Sequence, residues 1–256
     1  MLQEFKIQIE QFGWEERMIR VCLPEGYEAS KESYPVLYMH DGQNLFRDED
    51  ASYGASWGLA DFLRESQTPL IIVGIDCNHE GNERLNEYGP WVNTEVGPEL
   101  LKVDEEFGGK GDAYMAFLIH TVKPLIEEKY RTMPDQTLLA GSSMGGLIST
   151  YAACRYPNIF GKVASLSPSY WFNQEEIESF IEQSDMTGIK KFYMDIGTEE
   201  DSSKEGSDRQ IKSLESVYEK LKKKEFDLRF EVVSGGKHHE SSWRERMPEI
   251  IQYLMK

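Results

Sequence analysis

Two serines in this chain stand in the Gly-x-Ser-x-Gly pattern, which places a nucleophilic hydroxyl on a sharp turn. One copy spans residues 54–58 and is centred on Ser56, and the other spans 141–145 and is centred on Ser143. A serine hydroxyl is a weak nucleophile unless a histidine takes its proton and an acid orients that histidine. The pattern therefore suggests acyl transfer from an ester to a serine.

The residues around each copy distinguish the two serines. Ser143 follows the apolar run 137–140 and precedes 146–153, whose small and apolar residues are typical of a helix. In this order of strand, turn and helix the serine oxygen is exposed, and the helix N-terminus favours developing negative charge. Ser56 follows the charged segment 47–50, which is not a buried strand. We therefore predict that Ser143 is the nucleophile.

Two adjacent histidines, His238 and His239, are the only histidines that follow Ser143. They lie between the last predicted strand and the last predicted helix, where the base is expected if the acid and then the histidine follow the serine along the chain. Spacing alone does not distinguish the two. A metal site formed with Glu240 is disfavoured, because no other ligand cluster accompanies it.

Three carboxylates, Glu199, Glu200 and Asp201, follow the strand predicted over 192–196 and are candidates for the acid. Spacing leaves the three about equal, and a solvated acidic loop is the alternative interpretation. Asp195 lies inside the strand, so we expect it to have a structural role.

Acyl transfer also needs hydrogen-bond donors aimed at the developing oxyanion. The backbone N–H of Met144, directly after the nucleophile, is one predicted donor. The second is expected from the loop 40–46 that follows the third strand. Gly42 lets this backbone approach closely, so the N–H of Gln43 is the predicted second donor.

Apolar runs of two different periods surround these motifs. Short continuous runs indicate strands buried on both faces, and apolar residues at helical spacing alternate with them. Strands are predicted over 5–10, 16–24, 35–39, 69–75, 137–140, 163–166, 192–196 and 228–233. Helices are predicted near 57–66, 112–130, 144–155, 174–183, 207–224 and 241–255. The alternation predicts an α/β fold with a mostly parallel central sheet, helices on both faces and an antiparallel start.

The domain organisation follows from the length and from the absence of a composition break. We expect residues 1–256 to form a single domain, because no Pro/Gly/Ser-rich linker divides them. The longest segment without clear periodicity is about 77–111, rich in Asn, Glu and Gly. A long irregular stretch in a compact domain is often functional, so we predict a substrate-side insertion there.

The formal net charge is −17, from 45 acidic and 28 basic residues, and such a field disfavours nucleic acid and anionic membranes as partners. No apolar stretch is long enough to span a bilayer, and the first residues lack the pattern of a secretion signal. Three cysteines are too few for a disulfide framework or a zinc site. We expect a cytoplasmic protein with a small-molecule substrate and no metal or organic cofactor. The sequence indicates no oligomeric state.

Several of these motifs together resemble the esterase D-like family of α/β-hydrolases. The matching stretches are residues 37–46, 141–146, 165–171, 195–200 and 235–243, which follow the family order along nearly the whole chain. The family includes feruloyl and acetylxylan esterases, siderophore trilactone esterases, S-formylglutathione hydrolases and mycolyltransferases. The resemblance implies the α/β-hydrolase fold.

The resemblance also selects among the open site residues. In relatives the acid stands three residues after the glycine that ends its strand, which implies Glu200. The family form Gly-x-x-His-x-Glu-x-x-Trp implies His238 as the base. The resemblance further implies that residues near the substrate pocket include Asp41, Arg84, Tyr114 and Trp171.

The expected function is hydrolysis of a carboxylic ester through a Ser-Glu-His triad and an acyl-enzyme intermediate. A small ester, or an acetylated or feruloylated sugar, is the expected substrate. A trilactone siderophore esterase is the alternative. A thioesterase or acyltransferase with the same triad, or a non-catalytic binding module of the same fold, remains open.

Overall fold

Ten strands form the sheets of the protein, whose computed structural model describes residues 1–256. They are β1 (Leu2–Ile9), β2 (Glu15–Cys22), β3 (Tyr34–His40), β4 (Ile71–Ile75), β5 (Val92–Asn93), β6 (Phe107–Gly108), β7 (Thr132–Ser142), β8 (Lys162–Leu166), β9 (Lys191–Glu199) and β10 (Asp227–Lys237). Eight of them form one sheet in the order β1-β2-β4-β3-β7-β8-β9-β10, and β5 pairs with β6 in a separate ribbon.

Eight α-helices connect or flank these strands. They are α1 (Leu59–Ser66), α2 (Glu83–Tyr88), α3 (Gly111–Phe117), α4 (Lys123–Lys129), α5 (Met144–Arg155), α6 (Gln174–Gln183), α7 (Lys204–Leu221) and α8 (Glu240–Met255). A π-helical turn, Leu118–Val122, joins α3 to α4 in one continuous helical segment. None of the helices is long and apolar enough to cross a membrane.

The pairing of the strands confirms the α/β class that the apolar runs predict. β1 pairs with β2 and β2 with β4 in antiparallel fashion, and every other neighbouring pair in the sheet is parallel. Parallel strands have their carboxyl ends at one edge of the sheet, because each crossover returns the chain to the opposite edge. The loops that leave β3, β7, β8, β9 and β10 therefore meet at the same edge.

Helices cover both faces of the sheet, as the sequence predicts. Alternate residues of β3 point to opposite faces: Val36 and Tyr38 join one apolar cluster, and Leu37 and Met39 join the other. The larger cluster includes residues of α3 to α7, and the smaller one includes residues of α1 and α8. All the predicted strands and helices are present, with ends that differ by a few residues.

The segment 77–111 is more ordered than the sequence predicts. It contains α2, the β5–β6 ribbon and a π-helical turn, Val96–Leu101. The polar composition of this segment hides α2, since its few apolar residues give no clear helical period.

A buried ion pair fastens α2 to the sheet. Arg17 of β2 donates from both terminal nitrogens to the two carboxylate oxygens of Glu87 of α2, each at 2.7 Å, and a third bond of 3.2 Å reaches the carbonyl oxygen of Asp76. The side chains of the pair are 3% and 1% exposed. Removing one partner of such a pair leaves an uncompensated buried charge.

We predict that Glu87→Ala lowers the free energy of unfolding by about 3–5 kcal/mol, because the buried Arg17 then keeps only the exposed Glu15, 3.7 Å away, as a counter-ion. The double variant Arg17→Met/Glu87→Met should recover most of this loss, since two apolar side chains replace both charges. Urea denaturation measures both. A loss below about 1 kcal/mol in Glu87→Ala, as for an exposed pair, would contradict the assignment.

Candidate active site

Ser143 occupies a strained turn between the end of β7 and the start of α5. Its backbone angles are φ 58° and ψ −124°, a region that residues other than glycine rarely adopt. Its N–H donates to the carbonyl oxygen of Leu166 at 3.0 Å, and its carbonyl oxygen accepts from the N–H groups of Gly146 and Ser169, each at 3.0 Å. These bonds hold the turn, so the hydroxyl projects from the edge of the sheet.

Ser56 has a different environment. It is 2% exposed, and its hydroxyl donates to Asp48 Oδ1 at 2.8 Å. The N–H of Gly58 lies 3.3 Å from the same hydroxyl oxygen. Ser56 therefore stabilises a turn in this loop, and no hydrogen bond joins it to a histidine.

The carboxylate of Glu200 and the imidazole of His238 form a close pair at the ends of β9 and β10. Glu200 Oε2 lies 2.7 Å from His238 Nδ1, and the Glu200 side chain is fully buried whereas that of His238 is 31% exposed. A pair of glycines allows these strand ends to meet. A Cβ at Gly197 would lie 2.1 Å from the carbonyl oxygen of Gly236, so no larger residue fits there.

The second oxygen of Glu200 is also hydrogen-bonded. Oε1 accepts from the Ser167 hydroxyl at 2.6 Å and from the N–H of Gly197 at 2.5 Å. Burial alone would raise the pKa of Glu200, but the hydrogen bonds from His238, Ser167 and Gly197 outweigh it and hold the pKa below its ordinary value. The carboxylate is therefore ionised at neutral pH and can only accept, so Nδ1 of His238 is the donor, and in the neutral imidazole Nε2 is the nitrogen without a hydrogen.

The other candidates for acid and base point elsewhere. Glu199 is exposed and lies 3.8 Å from Lys237, and Asp201 is exposed and accepts the N–H of Ser203 at 2.8 Å. His239 is half-buried and caps α8, where its Nδ1 accepts the Ser241 N–H at 3.2 Å. Of the candidates that spacing left open, the structure brings together only Glu200 and His238.

Ser143 and His238 line one cavity of about 320 Å³ at this edge of the sheet. The Ser143 hydroxyl is hydrogen-bonded to the Ser169 hydroxyl at 3.1 Å, and no hydrogen bond joins it to His238. In unliganded enzymes such bonds are often long and form only when substrate is present. If Ser169 donates this hydrogen bond, the Ser143 hydroxyl keeps its own hydrogen for another acceptor.

The two predicted oxyanion donors lie at the starts of helical turns. Met144 is the first residue of α5, and Gln43 lies in the 3₁₀ turn Gly42–Asn44. The first N–H groups of a helix have no acceptor within it, so both are available to a ligand. The Gln43 side chain is fixed by Cys77, whose N–H donates to Oε1 at 3.1 Å and whose sulfur lies 3.3 Å from Nε2.

The predicted substrate-binding residues separate into two groups. Asp41 and Arg84 line the cavity and form a bidentate ion pair with N···O distances of 2.7 and 2.8 Å. Burial would raise the pKa of Asp41, but the Arg84 guanidinium holds it below its ordinary value. Tyr114 is fully buried and does not line the cavity, and its hydroxyl lies 2.8 Å from His40 Nδ1. Trp171 is 43% exposed on the surface outside the cavity.

Sequence reasoning assigned no catalytic or substrate-binding role to four further polar residues near this site: Asn44, Ser167, Ser169 and Glu240. Asn44 Nδ2 donates to Glu240 Oε1 at 3.2 Å, which joins the loop 40–46 to the first residue of α8. Glu240 is part of the Gly-x-x-His-x-Glu-x-x-Trp pattern, and both serines are part of the 165–171 motif. That these residues lie in the matching motifs is the feature of the sequence that could have identified them.

Comparison with known proteins places the chain in a family. A sequence profile of the family described as "Putative esterase" matches residues 11–254. The Bacillus subtilis protein YbbA, itself uncharacterized, is 29% identical over 244 residues, which cover 93% of this chain and 92% of YbbA. A siderophore enterobactin esterase from Emericella nidulans is 34% identical over 162 residues, which cover 60% of this chain and 52% of that protein.

A solved structure supports the same assignment at the level of the fold. The BES protein from Bacillus cereus superposes with a TM-score of 0.79 at 20% identity, over 99% of this chain and 95% of that one. The α/β-hydrolase fold implied by the sequence motifs is confirmed.

The lowered pKa of Glu200 predicts how stability depends on pH. The ionised form contributes stability that is complete above the ordinary glutamate pKa of about 4.3 and is lost as pH falls through the lowered value. Wild type should therefore lose more free energy of unfolding than Glu200→Gln between about pH 6 and pH 3. The control Glu199→Gln, at an exposed neighbour, should follow wild type. Urea titrations across this range would contradict the account if wild type and Glu200→Gln lost equal amounts.

Proposed function

This chain belongs to that esterase family and is a carboxylic-ester hydrolase, and on that premise we propose that Ser143, His238 and Glu200 form its catalytic triad. Ser143 Oγ attacks the ester carbonyl while His238 Nε2 takes its proton. Glu200 stabilises the imidazolium through Nδ1–H. His238 then donates the proton to the departing alcohol, and water releases the acid from the acyl-enzyme by the same route in reverse.

The N–H groups of Gln43 and Met144 are the proposed donors to the tetrahedral oxyanion. Met144 opens α5, so its N–H adds the partial positive charge of a helix N-terminus, whereas the N–H of Gln43 lies in a short 3₁₀ turn and has no acceptor within it. The Cys77 contacts that fix the Gln43 side chain also limit movement of its backbone.

One observation carries this proposal: an ionised buried carboxylate lies 2.7 Å from His238, and that histidine shares a cavity with a serine on a strained strand-to-helix turn. Because Nδ1 donates to Glu200, Nε2 is the nitrogen without a hydrogen in the neutral imidazole, and this is the nitrogen that a general base uses. Neither Glu199 nor Asp201 offers this arrangement.

We propose a small polar ester as the substrate, such as an acetylated or feruloylated sugar. The cavity has a volume of about 320 Å³ and is lined mostly by polar or charged side chains, including Asp41, Arg84 and Glu240. Such a lining favours a substrate with hydroxyl groups, since buried polar groups need partners when water leaves.

A trilactone siderophore is the second candidate substrate. The observation that favours it is the likeness to the Emericella nidulans siderophore enterobactin esterase, which covers 60% of this chain. A trilactone ester is cleaved by the same triad chemistry, so the two candidates differ in how the pocket binds the remainder of the substrate.

We predict that Ser143→Ala lowers kcat for p-nitrophenyl acetate by about 10⁴- to 10⁶-fold, because the attacking oxygen is lost. Ser56→Ala, at the other Gly-x-Ser-x-Gly serine, should retain activity. Steady-state kinetics on the two purified variants measure both effects. Retained hydrolysis in Ser143→Ala together with loss in Ser56→Ala would show that the nucleophile is misassigned.

The substrate proposal predicts the order of kcat/KM values. Acetylated xylo-oligosaccharides or feruloylated sugars should be hydrolysed at least about tenfold more efficiently than catecholate trilactones, which corresponds to about 1.4 kcal/mol in the transition state. Product formation is followed by chromatography, with Ser143→Ala as the blank. A higher kcat/KM for the trilactone would favour the second candidate instead.

A further inference from the structure

A buried serine, Ser167, lies behind the carboxylate of Glu200 on the side away from His238. It follows the end of β8 and is 1% exposed. Its hydroxyl oxygen lies 2.6 Å from Glu200 Oε1, 3.0 Å from Trp243 Nε1 and 3.3 Å from Arg246 Nη2. No part of the proposed mechanism uses this hydroxyl.

The direction of the hydrogen bond to Glu200 is determined by the other two contacts. The indole nitrogen of Trp243 and the guanidinium of Arg246 can only donate hydrogen bonds. Ser167 therefore accepts from both, and its single hydroxyl hydrogen remains for Glu200. If the hydroxyl rotated to another acceptor, Glu200 Oε1 would keep only the N–H of Gly197 as a donor.

This bond controls which oxygen of Glu200 faces the histidine. Oε1 is occupied by the Ser167 hydroxyl and by the N–H of Gly197, whereas Oε2 accepts from His238 Nδ1 alone. Two donors on one oxygen fix the rotation of the carboxylate. The fixed carboxylate in turn selects the His238 tautomer that has Nε2 free.

Backbone strain at Ser167 is an independent indication of function. Its φ is 41°, in the left-handed region where a residue with a side chain is disfavoured by roughly 1–2 kcal/mol and where glycine is not. Its N–H donates to the carbonyl oxygen of Asp195 at 2.9 Å, which holds this conformation. Strain of this kind persists at functional sites when the side chain is needed.

Arg246 is itself held by a buried acid. Its Nη1 forms an ion pair with Asp195 Oδ1 at 3.0 Å, and the two side chains are 9% and 0% exposed. This pairing keeps the guanidinium beside Ser167.

We propose that Ser167 is a positioning residue for the triad acid. Its hydroxyl accepts hydrogen bonds from Trp243 and Arg246 and donates one to Glu200, and the carboxylate held in this way orients His238. The inference rests on the proposed function, because it requires Glu200 to be the acid. It does not depend on the identity of the ester.

The test compares Ser167→Ala with Ser167→Gly on p-nitrophenyl acetate. Both remove the hydroxyl, but only glycine also relieves the strained φ, so the glycine variant should have the higher melting temperature. Both should lose kcat equally, by about 10- to 100-fold, with KM changed less than about twofold, since a mispositioned base acts mainly in the transition state. Ser56→Ala, another buried and hydrogen-bonded serine, is the control.

The pH profile of kcat/KM separates positioning from a general loss of stability. A carboxylate with one donor fewer holds the imidazolium more strongly, so the acidic limb should move upward by about 0.5–1 pH unit in both variants. The charged and titratable groups around the pair are Asp41, Arg84, Asp195, Glu199, Asp201, Lys204, Lys237, His239, Glu240 and Arg246. Both variants retain all of them, so the shift reports the hydroxyl.

Glu200→Ala, measured beside these variants, distinguishes failure of the Ser167 proposal from failure of the triad proposal. If Glu200→Ala is nearly inactive while both Ser167 variants keep wild-type kcat and an unshifted acidic limb, the role of Ser167 is overturned and the triad stands. If Glu200→Ala retains wild-type activity, both proposals are overturned. If the alanine variant fails to fold, the glycine variant alone decides the outcome.

Discussion

The hydrogen bond of 2.7 Å between Glu200 and His238 is the interaction on which the account of this site depends. It forms because β9 and β10 are parallel neighbours whose ends meet at one edge of the sheet, where Gly197 and Gly236 allow the backbones of the two strands to touch. The parallel pairing of β7, β8 and β9 brings the Ser143 turn to the same edge. The sheet topology thus assembles residues that are far apart in sequence, which is how open α/β sheets build sites at the carboxyl ends of their strands.

Strain and buried charge concentrate at this edge and are supported by the rest of the fold. Asp41, Ser143 and Ser167 all have positive φ, although none is glycine. Each is held by packing or hydrogen bonds from elements that are buried on both sides. Such conformations cost about 1–3 kcal/mol each and persist only where the surroundings enforce them. The large apolar clusters on both faces of the sheet supply that support, so stability elsewhere in the molecule permits a preorganised site.

Much of this arrangement could be predicted from the sequence. Continuous apolar runs predict the buried strands, and the strand before Ser143 distinguishes it from Ser56. The choice between Glu200 and its neighbours could not be made from spacing, because it depends on the close approach of two glycines about 40 residues apart. The helix α2 was missed for a similar reason, since a buried ion pair between Arg17 and Glu87, 70 residues apart, holds a polar segment against the sheet.

We propose that a single serine on a strained turn is activated for attack on an ester carbonyl. Labelling with a fluorophosphonate, followed by mass spectrometry of the digested protein, tests it most directly, because only an activated serine reacts. The account predicts one adduct, located on the peptide that contains Ser143, and loss of that adduct in Glu200→Ala. An adduct on Ser56, or no adduct on a protein that still hydrolyses p-nitrophenyl acetate, would contradict the account.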